Sequence, residues 1–236
     1  MPTNIEWCDE TINPQGWGCW GPGGTPDNPR PCSYCYARRL AKRHIRPCEL
    51  CRQFVPHWHE EQIEKALNWD KPRKIFWQSM GDLFHPLTPW EQIKTVLAAA
   101  DLMPRHTHIF LTKNPARYQE FNPWPKNCWL GTTVTNQLDA DERLPELMQV
   151  GRAGVLFVSH EPLVQRIDVR DYLNPPLSWR GQNLSWAIIG AMTGPGAIKP
   201  EPYWVRELID QYRGAGVPIF LKDNLKWTEK IQEFPK

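Results

Sequence analysis

From residue 74 onward the chain alternates short apolar runs with longer stretches in which apolar residues recur every three or four positions. The short runs, rich in β-branched and aromatic side chains, read as strands, and the longer ones as amphipathic helices. This pattern predicts strands over 74–78, 108–112, 128–134, 155–159, 186–190 and 218–222, with helices over 89–102, 114–121, 140–150 and 202–213. An earlier strand is expected at 11–14 and a helix from 36 to about 46. Such alternation needs right-handed crossovers and a parallel sheet. About six or seven βα units result, which suits a partial barrel of the (β/α)6 type or an open doubly wound sheet rather than a closed eight-unit barrel. No repeat, linker or charge block divides the chain, so a single domain over 1–236 is expected. Its least regular part, about 47–72, reads as an insertion. Ligands in parallel sheets sit at the C-terminal ends of strands, and the polar residues there become the candidates for chemistry.

The composition narrows the setting. With 236 residues and 41% hydrophobic side chains the chain can bury a globular core. Apolar runs fall short of the roughly 20 residues of a membrane span. The polar start Met1-Pro2-Thr3-Asn4 lacks a signal-peptide pattern, which leads to the expectation of a cytoplasmic protein without membrane contact. In that compartment thiols stay reduced and bind metals more often than they pair. A net charge of +2 gives no strong footprint for nucleic acid, although the run from Arg38 to His44 is locally basic. Most of the 13 tryptophans are expected to pack at partly wet core edges.

Three cysteines, Cys19, Cys32 and Cys35, carry the densest chemical signal, the last two in Pro31-Cys32-Ser33-Tyr34-Cys35-Tyr36. Three thiolates on a four-iron cluster leave one iron open to a ligand other than protein. Twelve residues lie between Cys19 and Cys32, and the glycines and prolines among them would let the loop fold back. After the strand at 74–78 comes Ser79-Met80-Gly81-Asp82, where a glycine allows close backbone approach and an acid can accept from an amine. A helix N-cap or simple turn is the alternative role for Asp82. Cys48, Cys51, His57 and His59 form a second set, with the chemistry of tetrahedral zinc, or alternatively of a reduced surface CxxC pair. Cys8 and Cys128 read as buried, inert thiols.

The cysteine loop and Met80-Gly81-Asp82, taken with Ile5-Glu6-Trp7, Asn13-Pro14, Leu111-Thr112-Lys113, His160-Glu161-Pro162-Leu163 and Phe220-Leu221-Lys222, resemble the phage and prophage "three-Cys-motif" family of radical-SAM-like proteins, distant relatives of spore photoproduct lyase. The resemblance implies a [4Fe-4S] cluster on Cys19, Cys32 and Cys35 and S-adenosylmethionine (SAM) as cofactor. It implies that Tyr34 lies near the adenine and that Met80, Gly81 and Asp82 hold the methionine amino group. Thr133, Thr135 and Asn136 would hold ribose or carboxylate, and Gly190 would let backbone approach the adenine; capping of strand ends is the plainer role for the first three. The loop between Cys19 and Cys32 is longer than the family pattern. Gly190-Ala191-Met192-Thr193-Gly194 also lacks the glutamate that relatives tend to carry.

His160, Glu161 and Lys222 are the candidates for catalysis, since their environment can shift them into the cellular pH range. Lys222 and Asp223 can equally form an ion pair. The expected function is SAM cleavage to a 5′-deoxyadenosyl radical on a substrate of unknown identity, with a nucleic acid or nucleotide first in line, and a reductant such as flavodoxin or ferredoxin as partner. The competing functions are a non-catalytic zinc-binding nucleic-acid protein and a degenerate scaffold that binds a partner. By sequence the two cysteine sets are independent: replacing Cys48 or Cys51 is expected to leave the cluster intact.

Overall fold

The structure is a computed structural model that describes residues 3–43, 48–151, 153–175 and 182–235. It divides into two compact units, Met1–Asn114 and Pro115–Lys236. The first carries β1 (Glu10–Ile12), α1 (Tyr36–Arg43), α2 (Glu49–Gln53), α3 (Glu61–Leu67), β2 (Lys74–Trp77), α4 (Trp90–Asp101) and β3 (Thr107–Thr112). Its strands pair in parallel, Glu10 with Ile75 and Lys74 with Thr107 setting the registers.

The second unit opens with a 3-10 turn, Pro115–Phe121. There follow β4 (Cys128–Thr133), α5 (Gln137–Met148), β5 (Val155–His160), α6 (Arg170–Leu173), β6 (Trp186–Ile189), α7 (Pro202–Gly214) and β7 (Ile219–Leu221). Trp129 pairs with Val155, Phe157 with Trp186 and Ala187 with Ile219, again all parallel. Within each unit the strands follow one another in chain order, β1 to β3 and β4 to β7, all parallel, as the alternation predicts for the α/β class of a partial barrel.

The strands form where the pattern puts them because they are buried on both faces. Every residue of β5, Val-Leu-Phe-Val-Ser-His, is buried, as expected of a parallel strand covered by helices. In α4 the buried residues Ile93, Val96, Ala99 and Ala100 make one stripe, and Val205, Leu208, Ile209 and Tyr212 do the same in α7, which starts on Pro202 in its first turn. Four tryptophans, 7, 77, 124 and 186, are buried among the described residues, while Trp90 is exposed and the other described ones lie in between.

Several expectations shift in detail. The stretch read as an irregular insertion holds α2 and α3 between its described residues. Phe54 anchors it to a core of Ala37, Ala41 and Met80, a contact that local periodicity cannot reveal. The predicted helix at 114–121 is a 3-10 turn, consistent with its short length and the proline that opens it. The helix expected from 140 starts at Gln137, because the Asn136 side chain caps it by accepting from the Asp139 N–H. The end of the first predicted helix, residues 44–46, and residue 47 lie outside the described residues.

Candidate functional site

The cysteine site of the first unit is built from β1 and β2 outward. Beyond β1 the Asn13 side-chain oxygen accepts from the Met80 N–H at 2.8 Å and the Ser79 hydroxyl at 3.2 Å, which fixes the turn after β2. Gly18 then bridges to Gly81, its N–H donating to the Met80 carbonyl at 3.1 Å. A Cβ on Gly81 would lie 2.3 Å from the Gly18 carbonyl oxygen, so this approach requires glycine.

Cys19 follows at once. The long loop after it closes on itself, with the Arg30 N–H donating to the Trp20 carbonyl at 2.7 Å. Gly21 (φ +81°) turns the chain there and gives its N–H to the Cys19 sulfur at 3.2 Å. The Cys35 sulfur accepts from the Arg38 N–H at 3.4 Å at the start of α1. Cys19 and Cys35 pack with Trp17 and Leu40 against Ala37, Ala41, Phe54 and Met80.

These thiols lie within electrostatic reach of one another, Cys32 acting on both Cys19 and Cys35. Burial, then the Asp82 carboxylate, pushes the Cys19 thiol up to about 12, and burial raises Cys35 as well. Burial alone would lower Lys113, yet Cys32, Tyr34, Asp82 and Cys19 outweigh it and hold the ammonium charged. Its Nζ sits 5.9 Å from the centre of the Tyr34 ring. Thiols this disfavoured as anions become thiolates when a metal supplies the positive charge. The three thiols thus act on one another and on Lys113, and two of their sulfurs accept a backbone N–H.

Asp82 is already engaged. Its Oδ1 accepts from the Thr112 hydroxyl at 2.7 Å and the Phe84 N–H at 3.1 Å, and its Oδ2 from the Lys113 N–H at 3.0 Å. The bond to Phe84 is the turn role weighed for it. The bonds to Thr112 and Lys113 tie the end of β2 to the end of β3, and one lone-pair position stays open on Oδ2.

Cys48, Cys51, His57 and His59 come together as a group that can hold a metal ion, with one donor atom from each lying within 4.8 Å of the others. The Cys48 sulfur is 3.0 Å from His57 Nε2, and the Cys51 sulfur is 3.6 Å from each Nε2. His57 Nδ1 faces the Val55 carbonyl at 2.7 Å and His59 Nδ1 faces the Glu61 carboxylate at 2.7 Å. Both acceptors demand a proton on Nδ1, so in the neutral rings both Nε2 atoms present lone pairs, only 2.7 Å apart. Two lone pairs and two sulfurs aimed at one point can hold a cation between them. Oriented imidazoles with outer carbonyl and carboxylate partners are the usual support of such a site.

A cavity of about 190 Å³ lies in the same unit, lined by Cys19, Trp20, His57, Asp82, His85 and Gln92 among others. Its wall thus includes Cys19 of the three-cysteine set and His57 of the Cys2His2 group. His85 donates from Nε2 to the Gly21 carbonyl at 3.0 Å and accepts at Nδ1 from the Leu87 N–H, which ties the cysteine loop to the segment after β2.

In the second unit the candidates are used differently. His160 is buried, with Nδ1 at 2.9 Å from the Val134 carbonyl and Nε2 at 2.7 Å from the Tyr212 hydroxyl, and burial pulls it down to about 4. Lys222 pairs with Glu161 rather than with Asp223, which faces Lys230 at 3.5 Å. The expected Lys222–Asp223 pair fails because β7 ends at Leu221 and Asp223 opens a 3-10 turn. A Cβ on Gly190 would lie 3.0 Å from Lys222 and 3.2 Å from Glu161, so the glycine makes room for that pair. Thr135 donates through both N–H and hydroxyl to Asp139, Asn136 caps α5, and the Thr133 carbonyl accepts from Arg143 at 2.6 Å. These are capping and strand-end roles.

Sequence reasoning passed over Glu61, whose only signal is an acid two residues after His59, and Gly16 and Gly18, whose signal is a Gly-x-Gly-Cys run. Lys113 stood out only as a strand-end residue; its position among the thiols is a property of the fold.

Comparison with known proteins adds one finding. No curated protein and no solved structure matches the chain. One family model, described as "Protein of unknown function (DUF5131)", matches residues 2–235. The match spans both units and every cysteine of the two sets, and the chain therefore belongs to the DUF5131 family.

Proposed function

We infer that this protein is a radical SAM enzyme, with a [4Fe-4S] cluster on Cys19, Cys32 and Cys35 and zinc on Cys48, Cys51, His57 and His59. The observation that carries the reading is the gathering of three thiols, Asp82 and Tyr34 around the charged Lys113 at the ends of β2 and β3. When bound, the cluster and SAM supply a one-electron cleavage of the sulfonium that yields methionine and a 5′-deoxyadenosyl radical.

The chain's own residues hold and shield. Lys113 would balance thiolate charge beside the Tyr34 ring, while Trp17 and Leu40 pack on the same small core as Cys19 and Cys35. The open position on Asp82 Oδ2 suits the ammonium of SAM, beside backbone that Gly81 keeps close and Met80 anchors to Asn13. Gly21 and Arg38 direct N–H groups at two sulfurs, an arrangement that tunes the potential of an iron-sulfur cluster. A flavodoxin or ferredoxin would supply the electron. The exposed side chains Arg38, Lys42 and Arg43 on α1 support a nucleic acid or nucleotide as substrate. The seven cysteines carry thiols, which suits a reducing cytoplasm. No helix among the described residues is long and apolar enough to cross a membrane.

A second reading, a non-catalytic zinc-binding nucleic-acid protein, is favoured by the geometry of the Cys2His2 group and the same basic helix. Anaerobic reconstitution with iron and sulfide, followed by reduction in the presence of SAM, separates the two. The radical SAM reading expects a brown protein that releases 5′-deoxyadenosine. A colourless, zinc-only protein would support the second reading. A brown protein that never cleaves SAM would mark a degenerate scaffold.

A further inference from the structure

The two metal-binding sets share a wall. The segment from Pro14 to Gly18 runs between the strap that carries His57 and His59 and the end of β2, and Cys19 is its next residue. On the strap side, the His59 N–H donates to the Pro14 carbonyl at 2.6 Å and the His57 N–H to the Gln15 carbonyl at 3.3 Å. The Trp17 N–H points at the Cys51 sulfur at 3.4 Å. Gly16 adopts φ +61°, and a Cβ there would stand 2.6 Å from the His57 ring. A Cβ on Gly18 would stand 2.3 Å from the Pro56 nitrogen. On the other side Gly18 bonds to Met80 and bridges Gly81. Gln78 adds a second tie: its side chain accepts from the Gln15 N–H at 3.0 Å and donates to the Gly16 carbonyl at 2.9 Å.

The strap is an extended stretch between two short helices, α2 and α3, and one cation bound by the two sulfurs and two imidazoles that converge beneath it would crosslink it to α2. We propose that zinc on Cys48, Cys51, His57 and His59 is the clamp that sets the Cys19 segment, so that the three-thiol site can load iron only after this second site holds zinc. The proposal rests on the iron-sulfur and zinc readings above and adds the order in which the two sites fill. It also reverses the independence of the sites that their separation in sequence suggests. Zinc suits the role because its filled d shell makes it redox-inert beside a one-electron centre, and structural Cys2His2 sites close fully around it. No electron or group transfer is involved; the zinc acts as a crosslink.

The test uses the full chain. Zinc-loaded and chelator-stripped wild type are compared with His59→Gln, the ligand at the more exposed edge of the site, with zinc measured and folding checked by circular dichroism. Amide hydrogen exchange is read first, before any iron is added. Loss of zinc should speed exchange in peptides spanning residues 14–20 by about tenfold or more, while peptides spanning β5 stay unchanged. Iron and sulfide are then offered anaerobically, and zinc-depleted protein should take up less than about a third of the iron bound by zinc-loaded protein. Readdition of zinc to stripped wild type should restore both readouts.

Unchanged exchange at 14–20 after zinc loss, or equal iron uptake with and without zinc, would overturn the clamp. Failure of the untreated, zinc-loaded protein to bind any iron would strike the iron-sulfur reading and the loading order with it. The exchange result would still judge the zinc crosslink separately. Should His59→Gln fail to fold, the stripped wild type carries the comparison alone.

Discussion

Both units end parallel strands in polar residues, yet they put them to opposite use. In the first, the segment after β2 presents Asp82, with a lone-pair position still open, beside half-buried thiols and the Lys113 cation, on the wall of a cavity. In the second, the end of β5 presents His160, bonded at both ring nitrogens inside the core, and then Glu161, whose charge is matched by Lys222. A strand end becomes a site when its polar groups have capacity left over. Where neighbouring side chains use that capacity, the same residue types serve stability. Topology alone does not separate the two cases, since both units follow the same parallel pattern.

The sharpest way to break the comparison is to remove one thiol. Cys32→Ala should abolish iron binding in the reconstituted protein and leave zinc stoichiometry unchanged, as metal analysis can check. Full iron retention would remove the distinction between the units. A slightly smaller effect is expected from acid. His108 in the first unit and His160 in the second are both drawn down to about 4, chiefly by burial, from an ordinary value of 6.5. Between these values the unfolded chain binds more protons than the folded one. Stability should therefore be full above about pH 6.5 and fall as the pH drops toward 4, by about 3 kcal/mol per histidine. His160→Gln should remove one share of that slope in denaturant titrations; an unchanged slope would show that His160 is not held neutral.

Asp82→Ala strips the acceptor from Thr112, Phe84 and Lys113, and should lower stability by about 1–3 kcal/mol. It should also weaken SAM binding about tenfold or more, from loss of a charged hydrogen bond. Equal SAM affinity in the variant would reduce Asp82 to a brace between β2 and β3. The smallest effect is expected from Glu161→Gln. Its pair with Lys222 is partly open to solvent, and the loss should be about 1 kcal/mol or less, with SAM cleavage intact. Abolished cleavage in that variant would move chemistry into the second unit and undo the contrast.

Much of the fold was legible because buried parallel strands announce themselves: Val155–His160 and Trp186–Ile189 are apolar almost throughout, and α4 and α7 carry clean stripes. The insertion was not, because α2 and α3 are too short to show a period and pack on distant elements, α2 against α1 and α3 against α4 and β1. In the site, the two cysteine sets could be read from residue type and spacing. Lys113 could not be assigned its neighbours, since its place beside Cys19 and Cys32 depends on a loop closed by the Arg30 to Trp20 bond. Nor could His160 be told from a catalytic base, because its burial comes from Tyr212, fifty-two residues further along the chain.

The central claim is that the three thiols of the first unit hold a cluster with one iron open to SAM. Electron paramagnetic resonance of the reduced, reconstituted protein, recorded before and after SAM is added, addresses it most directly. The account predicts a cluster signal that depends on Cys19, Cys32 and Cys35 and whose g-values shift when SAM binds the open iron. A signal indifferent to SAM, or one that persists in Cys32→Ala, would contradict it.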